Sequence, residues 1–219
     1  MKVIAKNVRL SFADIFKAKA FEEGGDEKFS GNFILGEDST IIVDKKEVSL
    51  DKLRKICNRI YCEKMECKKA PKTGYDNWAL NKADGSDTRK PYVDKDDEYY
   101  AGTDEDTVYL SGSKKAEDCK GGKLTVVDQL KQPVTAQDDK VYSGCYVNVV
   151  LDVYAYKSKT NKGVTASLEG IQKIADGERL GVTKIDATDD FDEVEVEDDF
   201  GDDEGEEGEG EDAEGEDFE

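Results

Sequence analysis

The chain has 219 residues, with 32 Lys and Arg against 52 Asp and Glu, which gives a formal net charge of −20. It contains no histidine, which excludes Ser-His and Cys-His nucleophile systems and zinc sites with imidazole ligands. No run approaches the ~18–20 apolar residues that cross a bilayer, and the N-terminal residues lack the apolar core of a signal peptide, so we expect a cytoplasmic protein that does not bind membranes.

Two strands are predicted near the N-terminus. Val8, Leu10 and Phe12 alternate with polar residues, which is typical of a half-buried strand. This first strand is predicted from Lys2 to Phe12, with the three apolar side chains facing the core. After a break that contains two glycines, alternation resumes over residues 29–36 and predicts a second strand.

One α-helix is predicted between Ser49 and Lys69. Apolar residues recur there at helical spacing, Ser49 is a good N-cap, and Pro71 lies beyond the end. The opposite face is rich in Lys and Arg. This face is either simply solvated or part of a surface that contacts phosphates.

The helix carries three of the five cysteines, Cys57, Cys62 and Cys67. A step of five residues turns roughly 500° along a helix, which predicts that the three thiols diverge. We therefore expect no metal site. An odd number of cysteines, with Cys119 and Cys145 distant in sequence, fits a reducing compartment better than a disulfide framework.

Residues 72–106 are polar, rich in turns and unusually aromatic, and are predicted to form a long loop. Within it, Trp78 and Tyr92 lie near the basic residues Arg89 and Lys90. A third strand is predicted from Thr107 to Ser111, followed by a basic turn with Lys114 and Lys115, and a fourth from Lys123 to Asp128.

The strongest strand pattern is a hairpin formed by Gly144–Lys157 and Val164–Ile174. One face of the first strand is continuously apolar from Cys145 to Ala155 and is predicted to face the core. The other face carries Tyr154 and Tyr156, together with Asp152. The loop between the two strands is basic.

Several strands, one α-helix and long loops predict a mainly β fold, a small antiparallel barrel of OB-fold type, and a disordered acidic tail. Residues 186–219 hold 21 of the 52 acidic residues and no Lys or Arg, so residues 1–185 carry 31 acidic residues against 32 basic ones. We therefore expect two parts: a domain over residues 1–185, which contains every tyrosine, and a tail over residues 186–219.

The pattern indicates a protein that binds single-stranded nucleic acid, because such proteins combine aromatic rings that stack on bases with a basic groove that follows the backbone. The candidate binding residues are aromatic and basic residues of the long loop, the basic turn and the hairpin: Trp78, Arg89, Lys90, Tyr92, Lys114, Lys115, Tyr154, Tyr156, Lys157, Lys159 and Lys162. The carboxylate of Asp152 would repel a phosphate group on the hairpin face, which argues against a surface that faces DNA throughout. No catalytic residue and no cofactor are predicted.

The acidic tail is predicted to compete with nucleic acid for the basic groove, because a tethered polyanion mimics the phosphate backbone. Phe218 and Glu219 stand at its end. An aromatic residue in such a run is either there by chance or serves as an anchor for a partner protein.

The segment from Tyr142 to Gly181 resembles a family of phage-encoded single-stranded DNA-binding proteins with an OB-fold core and an acidic tail. The resemblance extends to Phe29–Leu35, Tyr100–Gly102, Val126–Asp128 and Asp189–Phe191, and, in layout only, to the phage T7-type single-stranded DNA-binding protein. It implies protection of single strands during phage replication, recombination or repair, phage or host replication and recombination proteins as partners of the tail, and a homodimer. The family's basic Pro-x-Arg-Asp-Gly-Asp turn is altered here, with Val93 and Lys95 replacing the Arg and the Gly.

Two other classes compete with this interpretation. An acidic chaperone or DNA mimic would act through the tail, with the domain as its scaffold. A metal-dependent nuclease would use carboxylates such as Asp94, Asp96, Asp97 and Glu98, but these four lie in one polar run without a second carboxylate set. The sequence favours the DNA-binding interpretation over both.

Overall fold

The structure is a computed structural model that describes residues 1–20, 22–70, 80–82, 98–100, 102–104, 106–159 and 162–181. Within these ranges no helix is long and apolar enough to cross a membrane. The predicted acidic tail, residues 186–219, lies outside them, so its disorder and the predicted domain boundary stay predictions.

The described residues form nine β-strands and one α-helix. The strands are β1 (Lys2–Ala20), β2 (Glu27–Leu35), β3 (Thr40–Val43), β4 (Lys46–Val48), β5 (Leu80–Lys82), β6 (Val108–Lys115), β7 (Val126–Val127), β8 (Tyr146–Lys157) and β9 (Lys162–Ala175), and the helix is α1 (Leu50–Met65). Short 3-10 helices follow β6 at Ala116–Asp118 and Lys120–Gly122, and another lies at Ala136–Asp138.

Five of the strands close a barrel. β1 pairs with β2, β2 with β6, β6 with β9, β9 with β8, and β8 returns to β1. Every pairing is antiparallel except the contact between β6 and β9, where Ser113 lies opposite Ser167. This closed five-stranded barrel with one helix confirms the predicted mainly β, OB-type fold.

The barrel interior holds the long apolar faces of β1, β8 and β9. Val147, Val149, Leu151 and Val153 are buried on β8, as are Val164, Ala166 and Leu168 on β9. Gly112 of β6 also faces the interior, where only a glycine fits without a shift of its neighbours, because a Cβ there would lie 2.6 Å from Leu151 Cδ2. The predicted hairpin is therefore confirmed, with its apolar face inward.

β1 is longer than predicted, and its pairing shifts register at three points. The register with β8 shifts between Ala5 and Val8, and the register with β2 shifts between Ser11 and Asp14 and again between Asp14 and Lys19. Asn7 and Phe12 have φ of 52° and 49° at the first two points. Such bulges let one strand turn a corner and pair with both halves of a barrel.

The second bulge overturns one prediction. Phe12 was expected to face the core with Val8 and Leu10, but its side chain is 48% exposed while that of Ser11 is buried. The extra residue reverses the inward and outward sides of the strand after Leu10. Phe12 instead meets Tyr100 edge to face, with ring centroids 4.8 Å apart.

The predicted helix is confirmed, including its N-cap. The Ser49 hydroxyl accepts a hydrogen bond from the Lys52 amide at 3.2 Å, which satisfies one of the free N–H groups at the start of α1. Leu53, Cys57 and Tyr61 are buried, and the helix contacts mainly β8. α1 therefore packs against the hairpin and covers its apolar side.

Two further predictions need correction. Lys114 and Lys115 are not in a turn: β6 continues through both, because β2 supplies a partner as far as the pair Lys28 and Lys115. Only Val126 and Val127 form a strand in the predicted Lys123–Asp128 segment. The Asp128 carboxylate accepts hydrogen bonds from the amides of Leu130 and Gln132, which turns the chain there.

Candidate nucleic-acid interface

The hairpin presents its tyrosines on the outside of the barrel, as predicted. Tyr154 pairs with Thr165 and Tyr156 with Gly163. In the alternation of β8 both tyrosines lie on the face opposite Val153, which is buried, and Ala155, which is partly buried. The Tyr154 side chain is 45% exposed, and Tyr156 is half-buried. The ring of Tyr154 is therefore available for stacking on a flat ligand.

The predicted basic residues lie at the tip of the same hairpin. Lys157 and Lys162 are the last paired residues of β8 and β9, and Lys159 lies in the connection between them. All three are exposed. Among the residues that the structure describes, neither Lys157 nor Lys159 forms an ion pair, so their charges face solvent.

Asp152, the acidic residue of this face, is neutralised. The α-ammonium of Met1 donates hydrogen bonds to Asp152 Oδ1 at 2.6 Å and to the Val153 carbonyl at 2.8 Å. This pair places one positive charge against the carboxylate, so that Asp152 opposes a nearby phosphate far less than an isolated carboxylate does.

Short polar side chains cover the outer surface of the barrel next to the hairpin. We call this surface the hydroxyl face; it consists of the outward residues of β2, β6 and β9, namely Ser30, Asn32, Ser111, Ser113, Thr165 and Ser167. The strand register places Ser30 beside Ser113, Ser113 beside Ser167, and Ser167 beside Asp152. The hydroxyl face therefore continues into the face that carries Tyr154.

The hydroxyl groups of this face do not discriminate between one base and another. A hydroxyl group both donates and accepts hydrogen bonds, so it can bond any base edge or a phosphate oxygen. Ser111 Oγ donates to Asn32 Oδ1 at 2.9 Å, which joins the side chains of β6 and β2 on this face. Side chains this short also leave room for a flat ring to approach the sheet.

Lys114 and Lys115 lie at the opposite end of β6 from the hairpin tip, and both are paired with carboxylates. Lys114 forms an ion pair with Glu169, and Lys115 contacts Asp26 at 2.8 Å and Glu117 at 3.1 Å. The hydrogen bond with Lys115 lowers the pKa of Asp26. The hydrogen bond with Lys114, and after it that with Ser167, lowers the pKa of Glu169.

These ion pairs separate the predicted basic residues into two groups. Among the described residues Lys157 and Lys159 of the hairpin form no ion pair, whereas Lys114 and Lys115 are already compensated by carboxylates, so a phosphate at Lys114 or Lys115 must displace a carboxylate. From the register, Lys115 and Tyr154 are about 16 Å apart, at about 3.3 Å per residue and about 4.8 Å between strands. The hydroxyl face lies between the two groups.

Six of the predicted residues lie outside the described ranges: Trp78, Arg89, Lys90, Tyr92, Phe218 and Glu219. Their roles stay predictions. The short strand β5 shows that the backbone of residues 80–82, inside the predicted long loop, pairs with β6, since Asn81 lies opposite Tyr109. Part of this loop is therefore attached to the edge of the strand that carries Ser111 and Ser113.

The hydroxyl face was missed in the sequence. The available signal was the alternation of Tyr109, Ser111 and Ser113 with Leu110 and Gly112, which marks an outward polar side on β6. Serine is common on any exposed strand, so the pattern gained meaning only when the register placed three such strands side by side.

The chain leaves the barrel through a segment held in place, residues 176–181. The Tyr142 hydroxyl donates to Asp176 Oδ1 at 3.0 Å, and the Arg179 guanidinium lies 4.0 Å from the centre of the Tyr142 ring. Gly144 allows the segment to approach, because a Cβ there would lie 1.9 Å from the Glu178 carbonyl oxygen. The point from which residues 182–219 start is thus fixed on the barrel.

The described residues contain no group of three or more Cys, Asp or Glu side chains that could hold a metal ion. The candidate site consists instead of an aromatic ring, lysines and hydroxyl groups. An arrangement of this kind can bind a flexible polyanion that carries flat rings.

Comparison with known proteins identifies a matching protein family and a phage protein that is similar in sequence. The family model described as Enterobacter phage Enc34, ssDNA-binding protein, matches residues 1–201. The protein p50 of Acyrthosiphon pisum secondary endosymbiont phage 1 is 30% identical over 200 residues, which are 90% of this chain and 97% of the relative.

Two solved structures share the fold. The single-stranded DNA-binding protein from bacteriophage Enc34 aligns with a TM-score of 0.55 and 18% identity, over 87% of this chain and 90% of that chain. The same protein in complex with ssDNA aligns with a TM-score of 0.56 and 20% identity, over 82% of this chain and 89% of that chain.

Proposed function

The chain belongs to the family of phage single-stranded DNA-binding proteins represented by that of Enterobacter phage Enc34, and we propose that it binds single-stranded DNA on the outer surface formed by its hydroxyl face and its hairpin. Binding is tolerant of sequence and involves no catalytic step. The protein acts in phage DNA replication, recombination or repair, in the cytoplasm of the host cell.

One observation carries the choice of surface. Tyr154 is an exposed aromatic ring on the outside of an OB-type barrel, with Lys157 at the end of the same strand, Lys159 in the loop that follows, and the hydroxyl face adjoining it. OB-folds bind oligonucleotides on the face of their second and third strands, between the loop that joins strands one and two and the loop that joins strands four and five. Here those strands are β2 and β6, and the second loop is the basic hairpin tip.

Affinity comes from three contributions. Bases stack on Tyr154 and Tyr156, lysines at the hairpin tip neutralise phosphates, and the hydroxyl face supplies hydrogen bonds that every base can accept or donate. None of these contributions depends strongly on base identity. At the far end, Lys114 and Lys115 take part when phosphates replace Glu169 and Asp26, and Trp78, Arg89, Lys90 and Tyr92 extend the surface from the long loop.

The acidic tail regulates access to this surface. Residues 182–219 start from the fixed segment after β9, and an unfolded chain of these 38 residues has a reach of about 34 Å, or more with self-repulsion. The tail can then occupy the lysines of its own barrel, or of a second copy in a homodimer, until DNA displaces it. Once released, Phe218 and Glu219 bind phage or host replication and recombination proteins.

A charge-removal experiment tests the location of the site. The plot of log K against log salt concentration for oligothymidine should become less steep, by up to about 2, in the variant Lys157→Gln/Lys159→Gln/Lys162→Gln. Each phosphate contact on a single strand contributes about 0.7 to the steepness of this plot. Binding is measured by fluorescence anisotropy at several salt concentrations.

The matched control removes the same number of charges from α1, as Lys52→Gln/Lys55→Gln/Lys64→Gln. These lysines are also exposed but lie on the helix rather than on the barrel face. We expect this helix variant to show the same slope of log K against log salt concentration as the unchanged chain. A reduced slope for the helix variant, together with an unchanged slope for the hairpin variant, would move the phosphate-binding surface to α1.

A further inference from the structure

Helix α1 ends in a geometry that brings two thiols together. Glu66, just after the helix, has left-handed backbone angles (φ 54°, ψ 36°), and the Cys67 amide donates a hydrogen bond to the Cys62 carbonyl at 3.0 Å. This is the Schellman motif, in which the side chains on either side of the last turn commonly make an apolar contact.

In this chain both contact positions are cysteines. The Cys67 thiol donates to Cys62 Sγ, and the two sulfur atoms are 2.9 Å apart. The expectation from helical spacing that these thiols diverge is wrong, because α1 ends at Met65 and the left-handed residue folds Cys67 back over Cys62. Cys57, which lies within the helix, does not share this contact and is buried.

We propose that Cys62 and Cys67 are a modification site, a dithiol that a low-molecular-weight disulfide such as oxidised glutathione converts into an intramolecular disulfide. The Cys67 thiolate attacks one sulfur of the external disulfide and releases one thiolate, which leaves a mixed disulfide on Cys67. Cys62 then loses its proton to solvent and attacks Cys67 Sγ, which expels the second glutathione thiolate. The protein loses two electrons and two protons, and the reagent becomes two thiols.

The coupling of the two thiols is consistent with this order of attack. The hydrogen bond with Cys67 and, after it, burial raise the pKa of Cys62 to about 11, so Cys62 keeps its proton while Cys67 is the thiolate, and Cys62 serves as the second, resolving thiol. The separation of the sulfurs must shrink from 2.9 Å to about 2.05 Å in the disulfide. Side-chain rotation supplies this change while the backbone hydrogen bond persists.

The site is also selective within the chain. Cys57 and Cys145 are fully buried, Cys119 is 9% exposed, and Cys62 and Cys67 are half-buried at the end of the helix. Burial raises the pKa of the Cys57 thiol to about 12, which keeps that thiol unreactive. A reagent in solution therefore reaches the pair before the other three cysteines.

The test uses the full chain, incubated with millimolar oxidised glutathione at mildly alkaline pH and then alkylated and digested with trypsin. Cleavage after Arg59, Lys64 and Lys68 separates Cys62 and Cys67 into the peptides 60–64 and 65–68. The proposal predicts these two peptides joined by a disulfide, with a loss of two hydrogen atoms and no retained glutathione. Cys62→Ser and Cys67→Ser should each instead retain glutathione on the remaining cysteine of the pair.

Three results overturn the proposal. They are a stable glutathione adduct on either cysteine of the unchanged chain, a link from the pair to Cys57, Cys119 or Cys145, and two free thiols under conditions in which the same chain unfolded in denaturant is oxidised. The single-serine variants keep the helix end intact, because the αL residue Glu66 and the Cys67 amide are unaffected, and circular dichroism checks this.

Discussion

Replacement of the hairpin tyrosines is the most informative perturbation of the proposed surface. In Tyr154→Ala/Tyr156→Ala, two rings are removed from the outside of β8 while Val153, the inward neighbour of Tyr154, stays buried. One ring stacked on a base contributes about 1–3 kcal/mol, so its loss lowers affinity about 5- to 150-fold. We therefore expect the double variant to bind oligothymidine at least about tenfold more weakly in a fluorescence anisotropy titration at fixed salt concentration.

Two controls separate stacking from other effects. Tyr154→Phe keeps the ring and should bind within about twofold of the unchanged chain, since stacking needs the π-face and not the hydroxyl. Leu130→Ala truncates a side chain that is 79% exposed and lies in a turn beside the end of β9 that is remote from the hairpin tip, and should leave affinity unaltered. Full affinity in the double variant, with thermal unfolding unchanged, refutes the assignment of bases to this face.

Two further predictions concern stability. Glu66 holds a left-handed conformation that costs a non-glycine residue about 1–2 kcal/mol, so Glu66→Gly should raise the free energy of unfolding by about 0.5–1 kcal/mol, after allowance for the added entropy of the unfolded chain. The control variant Lys55→Gly, within α1, should lower the free energy of unfolding by about 1 kcal/mol. Urea titration measures both variants, and a Glu66→Gly variant that is less stable than the unchanged chain contradicts the cap geometry. The lowered pKa of Glu169 means that its pairing with Lys114 contributes stability above the unfolded pKa of about 4.3, which is lost as pH falls through the folded pKa. The stability difference between the unchanged chain and Glu169→Gln should therefore shrink below about pH 4, and a difference independent of pH excludes this contribution.

Elements with strong local patterns were predictable from the sequence. The continuous apolar face of β8 and the spacing and cap of α1 each dictate one structure, and both are confirmed. The turn between β3 and β4 gave no such signal. Asp44 and Lys45 both have positive φ, a conformation for which Asn-Gly is the usual sequence, so the hairpin escaped recognition.

The misassigned residues depended on features that periodicity does not carry. The bulge at Phe12 reversed the faces of β1, and the single left-handed residue Glu66 brought Cys67 onto Cys62. Similarly, the charges of Lys114 and Lys115 were visible in the sequence, but their carboxylate partners Asp26 and Glu169 are distant along the chain. The sequence locates the basic residues, whereas only the folded structure shows that Lys114 and Lys115 are paired with carboxylates.

The acidic tail should compete with DNA for the surface of the barrel. The most direct measurement is fluorescence anisotropy of labelled oligothymidine, titrated with the full chain and with residues 1–185 at two salt concentrations. We expect the shorter chain to bind more tightly, and we expect the difference in affinity to narrow at high salt, because salt screens the competition between tail and DNA. Absence of binding by both chains contradicts the proposed function, and equal affinities at both salt concentrations contradict the regulatory tail.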